Sequence, residues 1–206
     1  MHDVAAVILA AGRSQRMGAF KPLLPFGKQT VIESCIESLR KGGAETIVVV
    51  LGHRAEEVQA QIKHLNVVCA LNPDADSEMN ASIAAGAREL PAGAKSTLIA
   101  LADHPAVPPS VVSTLIETWK NGAPLVIPTW RNRGGHPVLI DLRYRHELQN
   151  LDPNRGLRGL FEAHSADVKR IAVDSPYVAR DMDTWDDYRA LYKEVFGEPP
   201  PARSRK

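Results

Sequence analysis

The sequence predicts a three-layer α/β/α fold, in which helices cover both faces of a mostly parallel sheet. Short apolar runs alternate with amphipathic stretches up to residue 128. Such alternation is typical of strand–helix–strand crossover units, which build parallel sheets. The apolar runs are rich in Val, Ile and Leu, as expected for strands that are buried on both faces. Ligands of such sheets bind beyond the carboxyl ends of the strands, so functional residues are expected there.

The predicted elements follow in order along the first 128 residues. Continuous apolar runs predict five strands, over 4–9, 45–51, 66–71, 96–101 and 124–128. Apolar residues at three- and four-residue spacing predict the helices between them, over 30–40, 55–63, 79–90 and 109–120. Gly42 and Gly43 end the first helix, and Pro109 lies in the first turn of the fourth, where proline is favoured.

The alternation breaks after residue 128. A loop enters a short strand over 134–140, and helices are predicted over 143–150 and 157–164, a strand over 168–173 and a closing amphipathic helix over 184–196. We interpret residues 1–197 as a single domain that contains an inserted part from about 129 to 165. Residues 198–206 are expected to form a disordered tail, because a Pro-rich stretch is followed there by a basic end. The alternative for that end is an interaction tail.

Composition and charge exclude several functional classes. The chain has 206 residues, 44% hydrophobic residues and a net charge of +1, so it lacks the basic field of a nucleic-acid-binding protein. Its opening apolar run is too short to span a bilayer and lacks the pattern of a signal peptide. Cys35 and Cys69 have no partner at metal-ligand spacing, and we interpret them as buried reduced thiols. A cytoplasmic enzyme without nucleic-acid or membrane partners is expected.

The segment that follows the first strand predicts a phosphate-binding loop. Small residues there let the backbone approach a ligand, and backbone N–H groups can point at phosphate oxygens. Nearby Arg and Lys side chains add charge-assisted donors. The segment has neither the Lys-Ser/Thr of a Walker loop nor the glycine spacing of a dinucleotide fingerprint. The alternative is an ordinary loop with surface charges. The predicted phosphate-binding residues are Leu9, Ala10, Ala11, Gly12, Arg13, Arg16 and Lys21.

Two carboxylates from separate loops suggest a magnesium site. Asp103 follows the predicted strand at 96–101, and Asp183 precedes the last helix. Hard oxygen ligands from one or two carboxylates, completed by phosphate oxygens and water, suit Mg²⁺. Each residue also has a structural alternative, since Asp103 could close a turn before Pro105 and Asp183 with Thr184 could cap the helix. Asp181 is the less favoured ligand.

The loop motif resembles a known family. The stretch Leu-Ala-Ala-Gly-Arg-Ser-x-Arg-Met-Gly over 9–18, followed by Lys-Pro-Leu-Leu-Pro over 21–25, looks like the signature of the nucleotidyltransferases that mature molybdenum cofactor. It is most similar to the cytidylyltransferase branch, and the resemblance extends from residue 4 to about 192. The guanylyltransferase branch has Gly where this chain has Ala11, which favours CTP over GTP. The resemblance implies a Rossmann-like fold of the nucleotide-diphospho-sugar transferase type.

The resemblance also implies roles for individual residues. Metal binding falls on Asp103 and Asp183, and charge stabilisation on Lys21 and Arg13, so the implied catalytic residues are Lys21, Arg13 and Asp103. Nucleotide contacts extend to Asn72 and Ser82, although Glu78 stands where the family has Gly. The implied acceptor-binding residues are Gly135, His136, Pro137, Arg155 and Arg158, in the part from about 129 to 165. The alternative for the two arginines is a solvated helix start.

The expected reaction is transfer of CMP from CTP to the phosphate of molybdopterin or molybdenum cofactor, with Mg²⁺ as cofactor and pyrophosphate as product. The implied partners are CTP or another nucleoside triphosphate, the pterin acceptor, and a molybdoenzyme or its chaperone in transient contact. Two alternatives use the same fold: a GTP-using guanylyltransferase and a sugar- or polyol-phosphate nucleotidyltransferase. A third alternative, of another class, is a non-catalytic module that binds the cofactor for delivery.

Overall fold

The computed structural model of the protein describes residues 3–14, 17–74 and 79–201. Its strands are β1 (Val4–Ala10), β2 (Pro25–Phe26), β3 (Gln29–Thr30), β4 (Thr46–Leu51), β5 (Val68–Leu71), β6 (Ser96–Leu101), β7 (Leu125–Trp130), β8 (Arg133–Gly134), β9 (Val138–Asp141) and β10 (Val168–Ala172). Its helices are α1 (Val31–Lys41), α2 (Ala55–Ile62), α3 (Met79–Arg88), α4 (Pro109–Lys120), α5 (Arg145–Gln149), α6 (Gly156–Ala163) and α7 (Trp185–Phe196).

The central sheet is mostly parallel, which confirms the predicted fold class. Its strands lie in the order β10-β7-β9-β6-β1-β4-β5, and β8 pairs with the outer part of β7. The strand β1 pairs in parallel with both β4 and β6. The strands β5 and β10, at the two edges of the sheet, pair in parallel with β4 and β7. The strand β9 runs antiparallel between β6 and β7. The inserted part of the chain therefore contributes one reversed strand to the middle of the sheet.

Apolar layers cover both faces of this sheet. One layer packs α1, α2 and α4 against the strands and includes Ile36, Val58 and Val112. The other packs α3, α5 and α6 and includes Ile83 and Leu148. Successive residues of β1 alternate between the two layers, as a pleated strand requires, and this explains why its run is apolar at every position. Within the described ranges, no helix is long and apolar enough to cross a membrane.

A third apolar cluster positions the end of the chain. Tyr188 and Leu191 of α7 pack with Met182 against Phe26 and Val31, near the small β2–β3 hairpin. The hydroxyl of Tyr188 also donates a hydrogen bond of 2.7 Å to the carbonyl oxygen of Pro25. The packing therefore holds the segment before α7 beside the loop that follows β1.

Several details differ from the sequence-based predictions. The β2–β3 hairpin was not predicted, because strands of two residues carry no readable periodicity. The predicted helix over 143–150 begins instead as a 3-10 turn, Leu142–Tyr144, capped by the Asp141 side chain. Cys35 is buried, and burial raises the pKa of its thiol. The prediction for Cys69 was wrong, since this residue is only half-buried on the edge strand β5.

Candidate active site

A cleft of about 300 Å³ opens at the carboxyl ends of β1, β5 and β6. Of the nine predicted nucleotide-binding residues, seven line it: Leu9, Ala10, Ala11, Gly12, Lys21, Asn72 and Ser82. Arg13 lies between two cleft-lining residues, but its side chain is exposed rather than on the cleft wall. Arg16 falls outside the described residues. The part of the site that the structure describes therefore lies at the edge of the sheet where it was expected.

Close packing fixes the backbone of the loop after β1. The carbonyl oxygen of Ala11 accepts a hydrogen bond of 3.1 Å from the backbone N–H of His53. A Cβ atom at Gly52 would lie 2.8 Å from both the Cβ and the carbonyl oxygen of Ala11, so only glycine allows this approach. On the opposite side Gly12 has no atom within 4 Å of the position that a side chain would occupy. The loop thus presents open backbone to the cleft.

The ammonium of Lys21 joins the two predicted metal ligands. Lys21 is buried at the start of a 3-10 turn, and its backbone N–H donates to the Ser14 hydroxyl at 3.3 Å. Its Nζ donates to Asp183 Oδ1 at 2.7 Å and to Asp103 Oδ2 at 3.3 Å. These three side chains come from the loop after β1, the end of β6 and the start of α7. Tertiary structure therefore brings together three residues that are far apart in the sequence.

The charge and chemistry of this cluster fit a divalent cation. Two carboxylates lie beside one ammonium here, and paired carboxylates attract a divalent cation. Both carboxylates contact one nitrogen atom, so a cation that took the place of that ammonium would face both of them. Among the described residues, no group of three or more His, Cys, Asp or Glu side chains could hold a metal ion without further ligands. Two carboxylates completed by phosphate oxygens and water match the preference of Mg²⁺.

Asn72 and Ser82 form a polar wall on the other side of the cleft. The Asn72 amide donates a 2.9 Å hydrogen bond to the Ser82 hydroxyl, and its oxygen accepts from the backbone N–H of Asp74 at 3.2 Å. Both residues are buried, so their orientation is fixed. Such preorganised amide and hydroxyl groups suit recognition of a nucleotide base or ribose. Glu78, where the sequence departs from the family pattern, lies outside the described residues.

A second cleft of about 860 Å³ adjoins the first, and Met79 lines both. Four of the predicted acceptor-binding residues line this cleft: Gly135, His136, Arg155 and Arg158. Pro137 does not line it. Pro137 is buried beside Cys35 and His104, where the chain enters the sheet as β9. Its contact with the acceptor stays a prediction.

The positive charge of the second cleft is distributed unevenly. Arg155 and Arg158 both pair with Glu162, the latter at 2.8 Å, so their charge is partly neutralised. Arg170 on β10 also lines the cleft and makes no ion pair with the described residues. Sequence reasoning missed Arg170, although its place on a strand next to the acceptor-side part was a usable signal.

His136 is held rigidly in the wall of the second cleft. Its backbone N–H donates to the carbonyl oxygen of Val178 at 2.7 Å, and Nδ1 lies 3.2 Å from the carbonyl oxygen of Ile99. Because a carbonyl oxygen can only accept, Nδ1 carries the proton and Nε2 is an acceptor in the neutral ring. Burial lowers the pKa of His136, so the ring is neutral at neutral pH.

His104 was assigned no role from the sequence, yet it contacts the acidic cluster. Its buried ring places Nε2 at 2.9 Å from Asp181 Oδ1 and 3.8 Å from Asp103 Oδ1. The ring also meets that of His136 edge-on, with centroids 6.1 Å apart. The contact with Asp181 could not be found from sequence, since it joins residues 77 positions apart.

The chain is similar over most of its length to two characterised proteins. It is 30% identical over 203 residues to the nicotine blue oxidoreductase of Paenarthrobacter nicotinovorans, with 91% of this chain and 96% of that protein covered. It is 24% identical over 205 residues to the molybdenum cofactor cytidylyltransferase of Escherichia coli K12, with 95% of this chain and 100% of that protein covered.

Solved structures share the fold. Rv0371c from Mycobacterium tuberculosis H37Rv is 27% identical with a TM-score of 0.82, covering 93% of this chain and 98% of that one. Its complex with manganese gives a TM-score of 0.79 at 27% identity, covering 94% and 100%. The model of the MobA-like NTP transferase domain matches residues 6–168. The chain therefore belongs to the MobA-like NTP transferase family of nucleotidyltransferases.

Proposed function

We propose that the protein is a Mg²⁺-dependent cytidylyltransferase that transfers CMP from CTP to the phosphate of molybdopterin or molybdenum cofactor. The observation that carries this proposal is the position of the Lys21 ammonium, which contacts both Asp103 and Asp183 at the cleft formed by the loop after β1. Phosphate-binding backbone, a mobile cation and two metal-binding carboxylates are the parts that nucleotidyl transfer needs. The similarity to the Escherichia coli cytidylyltransferase and the presence of Ala11 support the choice of base and acceptor.

The proposed reaction is an in-line displacement at the α-phosphorus of CTP. An oxygen of the acceptor phosphate forms a bond to that phosphorus, the bond to the bridging oxygen breaks, and pyrophosphate leaves with the electron pair. The acceptor phosphate is already ionised near neutral pH, so the reaction needs no strong base. When bound, Mg²⁺ would act as a Lewis acid that neutralises phosphate charge.

The chain's own residues then contribute positioning and charge. Backbone N–H groups of residues 10–12 would bind phosphate oxygens, and Asp103 and Asp183 would hold the cation. Lys21 shifts its ammonium toward the α-phosphate and the leaving pyrophosphate, where charge builds in the transition state. Arg13 adds a second cation from the rim of the cleft. On the acceptor side, neutral His136 lines the second cleft, and its Nε2 is a hydrogen-bond acceptor.

A pyrophosphate-release assay tests the proposal. CTP, GTP and UTP are each paired with molybdopterin and with sugar phosphates, and Asp103→Asn serves as the control for a contaminating activity. We expect pyrophosphate release from CTP only when molybdopterin is the acceptor, and we expect Asp103→Asn to abolish it. Release from GTP, or with a sugar phosphate, would replace the proposed substrates by those of a related transferase. Nucleotide binding without release in any mixture would contradict the enzyme and favour a delivery module.

An oxidoreductase is the second candidate, because the relative with 30% identity over 91% of this chain is named nicotine blue oxidoreductase. Hydride transfer to an organic acceptor requires neither paired carboxylates nor a divalent cation, so the acidic cluster favours the transferase. The two are separated by incubating the protein with nicotine blue and reduced nicotinamide cofactor without any nucleoside triphosphate. Bleaching of the pigment by wild type, unchanged by chelation of divalent cations, would establish the oxidoreductase instead.

A further inference from the structure

One buried imidazole connects the two loops that carry the proposed metal ligands. His104 follows Asp103 directly at the end of β6, and its side chain is only 4% exposed. Its Nε2 lies 2.9 Å from Asp181, which precedes Asp183 by two residues. A single ring therefore connects the turn after β6 to the segment before α7.

The His104 ring makes its hydrogen bonds through one of its two nitrogen atoms. Nδ1 of His104 is buried and bonds to no described residue, so all the polar contacts of the ring are made through Nε2. Ionised carboxylates only accept hydrogen bonds, so Nε2 donates toward Asp181 and faces Asp103. The edge-on contact with His136 and packing beside Cys35 hold the ring in this orientation.

The segment 181–183 is anchored to α7 on both sides of Asp181. Met182 is fully buried in the apolar cluster beneath α7, and Arg180 pairs with Glu194 of that helix. The side chain of Asp181 is 65% exposed and makes its contact with His104 instead. The hydrogen bond to His104 therefore ties this anchored segment directly to the turn that carries Asp103.

We infer that His104 is a positioning residue that sets the separation of Asp103 and Asp183 and thereby the affinity of the site for a divalent cation. This inference rests on the proposed function, since it needs the two aspartates to bind a cation. His104 acts through its neighbours and touches no reacting atom. Residues that orient metal ligands in this way typically contribute about 10- to 100-fold to metal affinity.

Titration of the purified protein with Mn²⁺, followed by electron paramagnetic resonance of the free ion, tests the inference without turnover. His104→Leu removes the donor and should weaken Mn²⁺ binding by about 10-fold or more. Asp181→Ala, at an exposed position that does not threaten folding, should weaken it similarly. His104→Gln keeps an N–H donor in the side chain and should restore most of the affinity.

His164→Leu is the matched control, because His164 also contacts a carboxylate, Glu147, and an aromatic ring, Tyr144, away from both proposed ligands. It should leave Mn²⁺ affinity unchanged. If Asp181→Ala binds Mn²⁺ as wild type does while Asp103→Asn and Asp183→Asn lose binding, the positioning role is refuted and the metal site stands. If the two Asn variants retain wild-type affinity, the proposed metal site itself is refuted.

Discussion

At the scale of single residues, Lys21 occupies the position where the charges of the site meet. Its Nζ lies 2.7 Å from Asp183 and 3.3 Å from Asp103, on oxygens that we assign to a cation. The ammonium and a metal ion thus compete for the same two carboxylates until a bound triphosphate offers Lys21 another anionic partner. Because of this competition, substitutions of Lys21 and of Asp103 should affect cation affinity in different ways.

The Lys21→Ala variant should separate cation binding from catalysis. Loss of a charge contact to the transition state lowers turnover by about 100-fold or more. Removal of the competing ammonium should leave Mn²⁺ affinity equal to that of wild type or higher. Asp103→Asn, by contrast, should lower both quantities. Steady-state pyrophosphate release and Mn²⁺ titration measure them, and a Lys21→Ala variant with near wild-type turnover would remove Lys21 from the mechanism.

His136 should contribute to the pH dependence of stability. Burial lowers its pKa below the ordinary value of 6.5, so the unfolded chain binds its proton more readily than the folded one. Stability is therefore complete above pH 6.5 and falls as the pH drops through the folded-state pKa. His136→Gln should flatten part of that fall, as measured by urea midpoints across the range. Parallel curves for the two proteins would show that His136 does not titrate differently on folding.

Local sequence signals were enough to identify residues that line the cleft. Lys21 was identified from its motif, and Asp103 from its place directly after a strand, and both lie in the cleft. The partner of His104 required the tertiary structure, because no sequence pattern connects it to Asp181. Pro137 shares one small cavity with His136 but, unlike it, does not line the second cleft, and its motif did not indicate this difference.

At the scale of elements, the N-terminus of α7 holds Asp183 in place. Thr184 and Asp187 form a capping box, in which each side chain bonds to the backbone N–H of the other residue. The alternative drawn from the sequence was that Asp183 and Thr184 cap this helix. In the structure Thr184 caps it, while Asp183 contacts Lys21. The helix cap and the proposed metal ligand are therefore neighbouring residues.

The Thr184→Ala variant should destabilise the protein by about 1 kcal/mol, because an N-terminal N–H of α7 loses its acceptor. Thr184→Ser keeps the hydroxyl and should restore most of that loss. Urea denaturation at equilibrium gives both values. Equal stability of the Ala and Ser variants would show that the box contributes nothing.

Gly135 illustrates a contact that only glycine permits. A Cβ atom there would lie 2.0 Å from the carbonyl oxygen of Val178, which also accepts the hydrogen bond of His136. Gly135→Ala should therefore cost about 1–3 kcal/mol of stability through overpacking and displace His136. Gly93→Ala is the control, because no atom lies within 4 Å of its added carbon, and it should change stability by less than about 0.5 kcal/mol. Similar losses in both variants would contradict the packing argument.

Elements with long or strongly periodic patterns were predictable. The strand at 96–101 and the helix at 109–120 match β6 and α4 at both ends, because Gly and Pro punctuate apolar runs of ordinary length. The hairpin of β2 and β3 escaped detection, since pairing of two-residue strands depends on packing against α7 and not on local composition.

At the scale of the whole molecule, strand order assembles the site. The strand β1 lies between β4 and β6, so the loop after β1 and the residue after β6 share one edge of the sheet. Alternating apolar runs predicted this edge as the ligand-binding edge. They did not predict that β9 enters antiparallel between β6 and β7, because strand order in the inserted part depends on long-range packing.

We propose that the loop after β1 and the aspartates at 103 and 183 jointly bind one metal–triphosphate. Crystals grown with Mn²⁺ and CTP test it through the anomalous scattering of manganese. We predict an anomalous peak between the carboxylates of Asp103 and Asp183, with the triphosphate against residues 10–12. A manganese ion bound away from both aspartates, or a nucleotide outside the cleft, would contradict it.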